Sequence, residues 1–501
     1  MTKYQKRIAV RSTWIIAIAL VVAAPWSWWL ISVDDVPTRD RRHTLSAAYS
    51  LAVHGVLDYS LPRSGPELAS EEVRPGNRRE PLFPLLWAGV IALDPGGEIG
   101  KHGWRCFQES GLCPMTVRMT KAVNLGLHGA LTSAIGLGVW WITGRRRYAL
   151  AWMLLAAGSA LLLTGVDSWE TEIGANLFLL LHSLFLYAAF TSGRPMLAAA
   201  LGGIALGLLI LVKAAFYYLL ISYLLALALL LVAKLTGRLR GRNLGAGIPW
   251  TPPIVMALCA VVVIMPWMLR NLIVLGEWSV SERGGRVVAI RSQYTTMPWS
   301  DFPAAFTFFT PDRGTRLLSE RYNTETVARL DRRSPSSYYR TSQKGRGEAD
   351  RLAAENDISL SRAALTVIAG NFDRQVALTP LFVYRGSAPP RYLSVDAYKR
   401  LPKPLRRFNE AMQRWWIPIL LAAAVWFAVR GPRRYLLLLT PALFAVVFHA
   451  FLTHFIQRYA TPLYGISLLV AAVLLSELGG TIQRHLPGRS RSCESPGRTA
   501  A

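Results

Sequence analysis

Three carboxylates sit close together behind the first apolar stretch of the chain: Asp34, Asp35 and Asp40, within the segment VDDVPTRDRRHTLSAAYSLAVHG. A carboxylate resists entering hydrocarbon, so these side chains belong at a membrane surface, where a lipid-borne substrate presents its headgroup. A carboxylate held there can take a proton from an attacking hydroxyl. From Asp40 onward the pattern turns helical, with Leu45, Ala48, Tyr49 and Ala52 on one face. Other charges gather at the ends of apolar runs: Arg79-Glu80, Glu170, Glu172, Lys213, Arg270 and Arg458. Lys213 joins two apolar runs with almost no loop between them. It reads either as a lysine snorkelling at a helix end or as a cation held at the surface for a lipid phosphate. Arg270 and Arg458 carry the same two readings. Near the middle of the apolar runs the ionisable residues are His128, His182 and His449, and a lone histidine in such a helix ordinarily bonds a neighbouring helix.

The elements that position these residues follow from composition. The chain has 501 residues, 52% hydrophobic, with mean hydropathy +0.29, and its apolar residues come in runs of about 17–25, the length that crosses a bilayer. It reads as an all-α polytopic membrane protein of about ten transmembrane helices, both termini inside, over 12–32, 119–143, 148–166, 174–191, 196–212, 214–233, 254–269, 415–429, 435–452 and 463–478. Trp26, Trp28 and Trp29 form an aromatic belt at the end of the first run and mark it as retained. Each even-numbered span ends in basic residues, such as Arg145–Arg147 and Arg433-Arg434, or at Arg194. The net charge of +26 is therefore read as topology rather than as a nucleic-acid surface.

That arrangement makes 1–271 an N-terminal transmembrane module with a first outer loop at 33–118. A long outer segment, 272–413, lies between the seventh and eighth helices. The closing helices occupy 414–480, and 481–501 is a disordered basic tail. The short apolar run at 81–93 lies in the interface or re-enters. Cys106 and Cys113 share one short loop and suit a disulfide in an oxidising compartment. No nearby Cys or His beyond His102 completes a four-ligand set, which disfavours a metal site there.

In this order the residues resemble the C-type integral-membrane glycosyltransferases, a superfamily that includes protein O-mannosyltransferases and the bacterial aminoarabinose transferase. The resemblance covers most of the chain through short motifs. Asp40, Ala48, Leu51 and Gly55 fit a D-(x)7-A-x-x-L helix followed by glycine. Arg79-Glu80-Pro81-Leu82-Phe83-Pro84 resembles R-x-P-x-x-P. Glu170 and Glu172 open a span before Gly174, and Gly202-Gly203 through Gly207 lead to Lys213. Pro266-Trp267-Met268-Leu269-Arg270-Asn271, followed by Gly276, resembles P-W-x-x-R-N-x-x-x-x-G, and Arg458-Tyr459 before Pro462 resembles R-Y-x-x-P. The sequence departs at the base: many members have an Asp-Glu pair followed by Tyr, whereas Arg41-Arg42 follow Asp40, so Asp35 stands as a rival.

The resemblance implies transfer of a sugar from a polyprenyl-phosphate donor to a lipid, glycan or protein acceptor, with inversion, on the periplasmic side of a bacterial inner membrane. Asp40 or Asp35 would be the base. Lys213, Arg270 and Arg458 would meet the donor phosphate, and Glu170, Glu172, Arg79 and Tyr459 would serve the acceptor or support the site. Asp34, Asp35, Asp40 and Glu170 also form an oxygen set suited to a divalent ion such as Mg or Mn. Flippases or exporters of lipid-linked glycans should instead show midplane charges and repeats, neither of which is present in the sequence. A non-catalytic assembly protein would tolerate loss of Asp40 and Lys213 together.

Overall fold

The computed structural model describes residues 40–59, 73–166, 169–239, 250–282, 284–309, 320–331, 334–352, 357–387, 403–453 and 455–485. The expected first span at 12–32, the carboxylates of Asp34 and Asp35, and the tail beyond 485 lie outside them, as does the side chain of Asp40.

The described residues are helical and contain no strand. In chain order the helices of the first module are α1 Asp40–His54, α2 Leu82–Leu93, α3 Glu98–His102, α4 Pro114–Thr143, α5 Arg146–Ala157, α6 Ala160–Val166, α7 Glu172–Thr191, α8 Pro195–Val212, α9 Tyr217–Leu239 and α10 Thr251–Leu275. The outer segment contributes α11 Gly284–Thr295, α12 Phe302–Phe308, α13 Thr324–Leu330, α14 Tyr338–Gln343, α15 Glu348–Leu352, α16 Asp357–Gly370 and α17 Phe372–Ser387. The chain closes with α18 Lys403–Val429, α19 Leu436–Leu452, α20 Gln457–Ala460 and α21 Tyr464–His485.

Among these residues seven helices are long and apolar enough to cross a membrane, or nine if each bent pair counts as one span. Nine of the ten expected spans fall among the described residues, and one of the nine, 148–166, does not form a single long helix. Gly158 and Ser159 interrupt it between α5 and α6, where Ser159 N–H turns back to the Ala156 carbonyl at 3.0 Å. Glycine and serine both lower helix propensity, and two together make a break. In the outer segment α16 ends at Gly370 and α17 starts at Phe372.

In the first outer loop α1 ends as its sequence dictates. Gly55 takes φ +70 and returns its N–H to the Leu51 carbonyl at 3.1 Å, the left-handed cap that glycine adopts without a Cβ penalty. The short apolar run becomes α2, and the chain turns by 90° into Glu98–Phe107. Asp94 makes that turn by accepting the N–H groups of Ile99 and Gly100 at 2.9 and 3.0 Å. The Cys106 and Cys113 sulfurs lie 2.07 Å apart as a disulfide closing a seven-residue separation. It fixes the loop under Tyr49 of α1, whose ring is 5.4 Å from Trp104, while Phe107 reaches Trp169 at 6.4 Å. Loop-closure entropy for so short a loop is worth about 2–3 kcal/mol. Reduction, or joint Cys106→Ser and Cys113→Ser replacement, should therefore lower the thermal midpoint of the purified protein. An unchanged midpoint would show that the aromatic packing holds the loop unaided.

In the outer segment Asp301 is the hub. It accepts Arg329 Nε at 2.8 Å, Arg329 Nη2 at 3.0 Å, Tyr338 Oη at 3.1 Å and Thr326 Oγ1 at 3.3 Å. Burial pulls its carboxyl up, and the hydrogen bonds from Arg329 and Tyr338 more than reverse this, so it stays below its ordinary value. The hub ties α12, α13 and α14 into one body.

Candidate functional site

Three helix ends meet at one buried carboxylate. Glu172 opens α7, Lys213 closes α8, and Arg458 precedes α21; successive antiparallel helices bring these ends to the same side. Glu172 is 2% exposed, and its Oε1 accepts both Lys213 Nζ at 2.8 Å and Arg458 Nε at 2.5 Å. A carboxylate in the first turn of a helix is favoured by the helix dipole, and the two cations hold it there. Its other oxygen, Oε2, is buried without a partner.

Asn176, one turn further along α7 and fully buried, sets the distance between Glu172 and Arg458. Its Nδ2 donates to the Thr461 carbonyl at 3.1 Å and its Oδ1 accepts Gly465 N–H at 2.8 Å. A Cβ on Gly465 would come within 2.4 Å of that oxygen, so the fit requires glycine. A small cavity of about 10 Å³, lined by Glu170, Glu172, Asn176 and Thr461 among others, adjoins the ion pairs. That is room on the order of one water.

A second pairing sits beside the first. Glu170 Oε1 accepts Arg41 Nε at 3.1 Å and Nη2 at 2.8 Å. Arg41 is the residue after Asp40, so one of the two arginines that trouble Asp40 as a base is turned to a carboxylate 129 residues away. The loop bearing Glu170 is held by α4: Asn124 Nδ2 donates to Gly165 O at 2.8 Å, and Trp169 Nε1 donates to Thr120 Oγ1 at 3.2 Å. Of the four oxygen donors suited to a divalent ion, Glu170 is thus already paired with a guanidinium. The side chains of Asp34, Asp35 and Asp40 lie outside the described residues. The described part of that set, Glu170 paired with Arg41, does not favour a cation.

The remaining expected residues fall around this centre with different duties. Arg79 is buried and its carbonyl accepts Tyr59 Oη–H at 3.0 Å. Glu80, next to it, accepts the N–H of Ala214 at 3.1 Å, which ties the loop before α2 to the residue after Lys213. Burial, with Glu80 close by, pushes the Tyr59 hydroxyl well up from its ordinary value. Arg270 serves that loop: Nη1 donates to the Gly76 carbonyl at 3.1 Å and to Asn271 Oδ1 at 2.8 Å, and its guanidinium lies 4.9 Å over Trp267. Trp267 Nε1 donates to Val280 O at 2.9 Å and Asn271 Nδ2 to Ser279 O at 2.8 Å. The segment Pro266–Asn271 is thus a clamp on two loops, with Arg270 holding 73–80.

Tyr459 stacks on His449 at 5.4 Å, and Phe455 lies 5.7 Å from the same imidazole. His449 therefore differs from the other two span histidines. His128 pairs with Ala157 O at 3.2 Å, and His182 with Gly202 O at 2.9 Å and Tyr223 Oη at 3.0 Å, both on neighbouring elements. Among the functional residues Asn176 carries no distinctive sequence signal, whereas Glu80 stands out as a charge before an apolar run and Arg41 only as a neighbour of Asp40.

No family model matches this chain, and no curated protein matches it. Among solved structures it is similar to the archaeal oligosaccharyltransferase AglB from Archaeoglobus fulgidus, in complex with an inhibitory peptide and a dolichol-phosphate. The identity is 13%, the match covers 95% of this chain and 52% of that one, and the TM-score is 0.44. It is also similar to ArnT from Cupriavidus metallidurans bound to undecaprenyl phosphate, at 13% identity over 94% of this chain and 80% of that one, with a TM-score of 0.33. The chain spans about half the length of the oligosaccharyltransferase it matches.

Proposed function

We propose that this chain is a membrane glycosyltransferase that moves a sugar from a polyprenyl-phosphate donor to a lipid, glycan or protein acceptor. The observation that carries the reading is the state of Lys213. It gives one of its three N–H bonds to Glu172, stays 18% exposed, and stands at the mouth of a helix bundle beside Arg458. Its two other donors suit the phosphate of a lipid whose chain lies in the bilayer. The order of motifs from Asp40 to Pro462 supports the same class.

In this reading Asp40 or Asp35 takes the proton of the acceptor hydroxyl, and the freed oxygen attacks the anomeric carbon from the face opposite the phosphate. The bond between that carbon and the phosphate oxygen breaks, and its electron pair leaves with the lipid phosphate. Lys213 and Arg458 offset the charge that grows there. Glu172 holds the two cations at a fixed spacing through Oε1. Arg270 enters by holding the 73–80 loop. The mouth faces the periplasm of a bacterial inner membrane in this proposal, since the basic ends of the spans lie at the other face.

The test is transfer in membrane vesicles supplied with a polyprenyl-phosphate-sugar pool and a broad acceptor set, comparing the parent with Asp40→Asn, Asp35→Asn and Lys213→Ala. Free polyprenyl phosphate should be released by the parent and fall by at least about a hundredfold in one aspartate variant, the loss expected for a general base. Release that survives all three changes would exclude this site. No release from correctly folded parent would favour the transport or assembly readings.

A further inference from the structure

We propose that the outer segment holds a buried oxyanion site formed by Arg291, Arg385 and Tyr294, separate from the Glu172 centre, which takes a phosphate or carboxylate group. The inference stands on the geometry of α11 and α17 and does not depend on the transfer reaction. Arg291 is fully buried. Its Nε donates to the Phe451 carbonyl at 3.2 Å and its Nη2 to the Gln375 carbonyl at 3.3 Å, both neutral, and its Nη1 is buried with no partner. Its guanidinium lies 4.2 Å over Phe382. Arg385 stands 5.5 Å from the same ring, 4.5 Å from Phe309 and 5.9 Å from the ring of Tyr294. The Tyr294 hydroxyl is also buried and without a partner.

Two guanidiniums thus share one aromatic cage. Burial first, and Arg385 after it, work against the Arg291 charge. Yet a guanidinium keeps its proton at neutral pH, so the charge must be met rather than shed. Carbonyl oxygens satisfy hydrogen bonds without neutralising charge, and the face of Phe382 offsets only part of the cost of burial. An oxyanion accepting from Arg291 Nη1 and Tyr294 Oη would satisfy both orphaned donors at once and place negative charge beside both arginines. Arg385 and Phe309, at 6% and 7%, are the most exposed members of the cage and mark the side of entry.

The experiment follows thermal unfolding of the full-length protein in detergent at fixed ionic strength, in a Lys213→Ala background that weakens the other cationic centre. The probes are inorganic phosphate, acetate and polyprenyl monophosphate. At least one should raise the midpoint saturably, Tyr294→Phe should weaken its apparent affinity by about tenfold, and Arg291→Gln should abolish the response. A response to inorganic phosphate or acetate would assign the site to a soluble or acceptor-borne anion; a response confined to the lipid would assign it to a headgroup. Tyr294→Phe alters no shape and tests the site even if Arg291→Gln fails to fold. A flat response to all three probes, or one that neither substitution changes, would overturn the proposal.

Discussion

Replacing Glu172 by glutamine should destabilise the protein by about 2–3 kcal/mol and make it the variant most stabilised by added polyprenyl phosphate. The side chain keeps its shape, but Lys213 and Arg458, both drawn to one oxygen, lose the charge between them. Removing one member of a buried pair costs about 3–5 kcal/mol. Lys213 and Arg458 are 18% and 17% exposed, so solvent screens part of that loss. A lipid phosphate would restore the missing charge and by mass action recover stability. Thermal unfolding with and without polyprenyl phosphate measures both effects. The double variant Glu172→Gln with Lys213→Met should recover part of the single loss, because it removes the repulsion along with the partner. A glutamine variant as stable as the parent would show that the carboxylate does not hold the two cations in solution. Equal rescue by an uncharged polyprenol would remove phosphate from the explanation.

The same residues show what a sequence reveals and what it hides. Apolar run length and basic flanks locate α4, α7, α8, α10 and α19, because burial in lipid demands long uncharged helices. They also place Glu172, Lys213 and Arg458 at one face, through the parity of the spans. They do not show that the three touch, since Glu172 and Arg458 are 286 residues apart and their meeting depends on how Asn176 seats the turn before α21. The sequence leaves Glu172 either serving the acceptor or supporting the site, and its carboxylate accepts both Lys213 and Arg458. Arg270 was expected at the phosphate by the same logic of charge at a helix end. Its partners are a carbonyl of the 73–80 loop and the neighbouring Asn271, a role visible only once Trp267 and Asn271 are seen gripping 279–280. The break at Gly158-Ser159 was legible in residue type but was overridden by the apolar run on either side.

A methyl group at Gly203 should do more damage than one at its neighbour Gly202, and the site should feel it. A Cβ at Gly203 would stand 2.2 Å from the Met256 carbonyl oxygen and 2.7 Å from Cys259 Cβ, both close to the backbone of α10 and unable to swing aside. At Gly202 the nearest atom is Met256 Cε at 2.8 Å, the end of a flexible side chain that can move. Gly207, one turn on, meets Val263 Cβ at 2.5 Å and the Ala260 carbonyl at 3.0 Å, so the seam of α8 on α10 runs backbone to backbone. Small residues at such a seam are what allow membrane helices to approach closely. Gly203→Ala should therefore cost about 2–3 kcal/mol as the helices part, against less than about 1 kcal/mol for Gly202→Ala. The consequence reaches function because α8 ends in Lys213 and α10 ends in the Trp267–Asn271 clamp, so the seam sets the spacing between the cation and the loop carrying Glu80. Thermal midpoints and vesicle transfer, read together for both variants, decide the matter. Gly203→Ala should lose both stability and transfer, while Gly202→Ala keeps both. Equal effects from the two substitutions would mean that the close approach of α8 and α10 is not what positions Lys213.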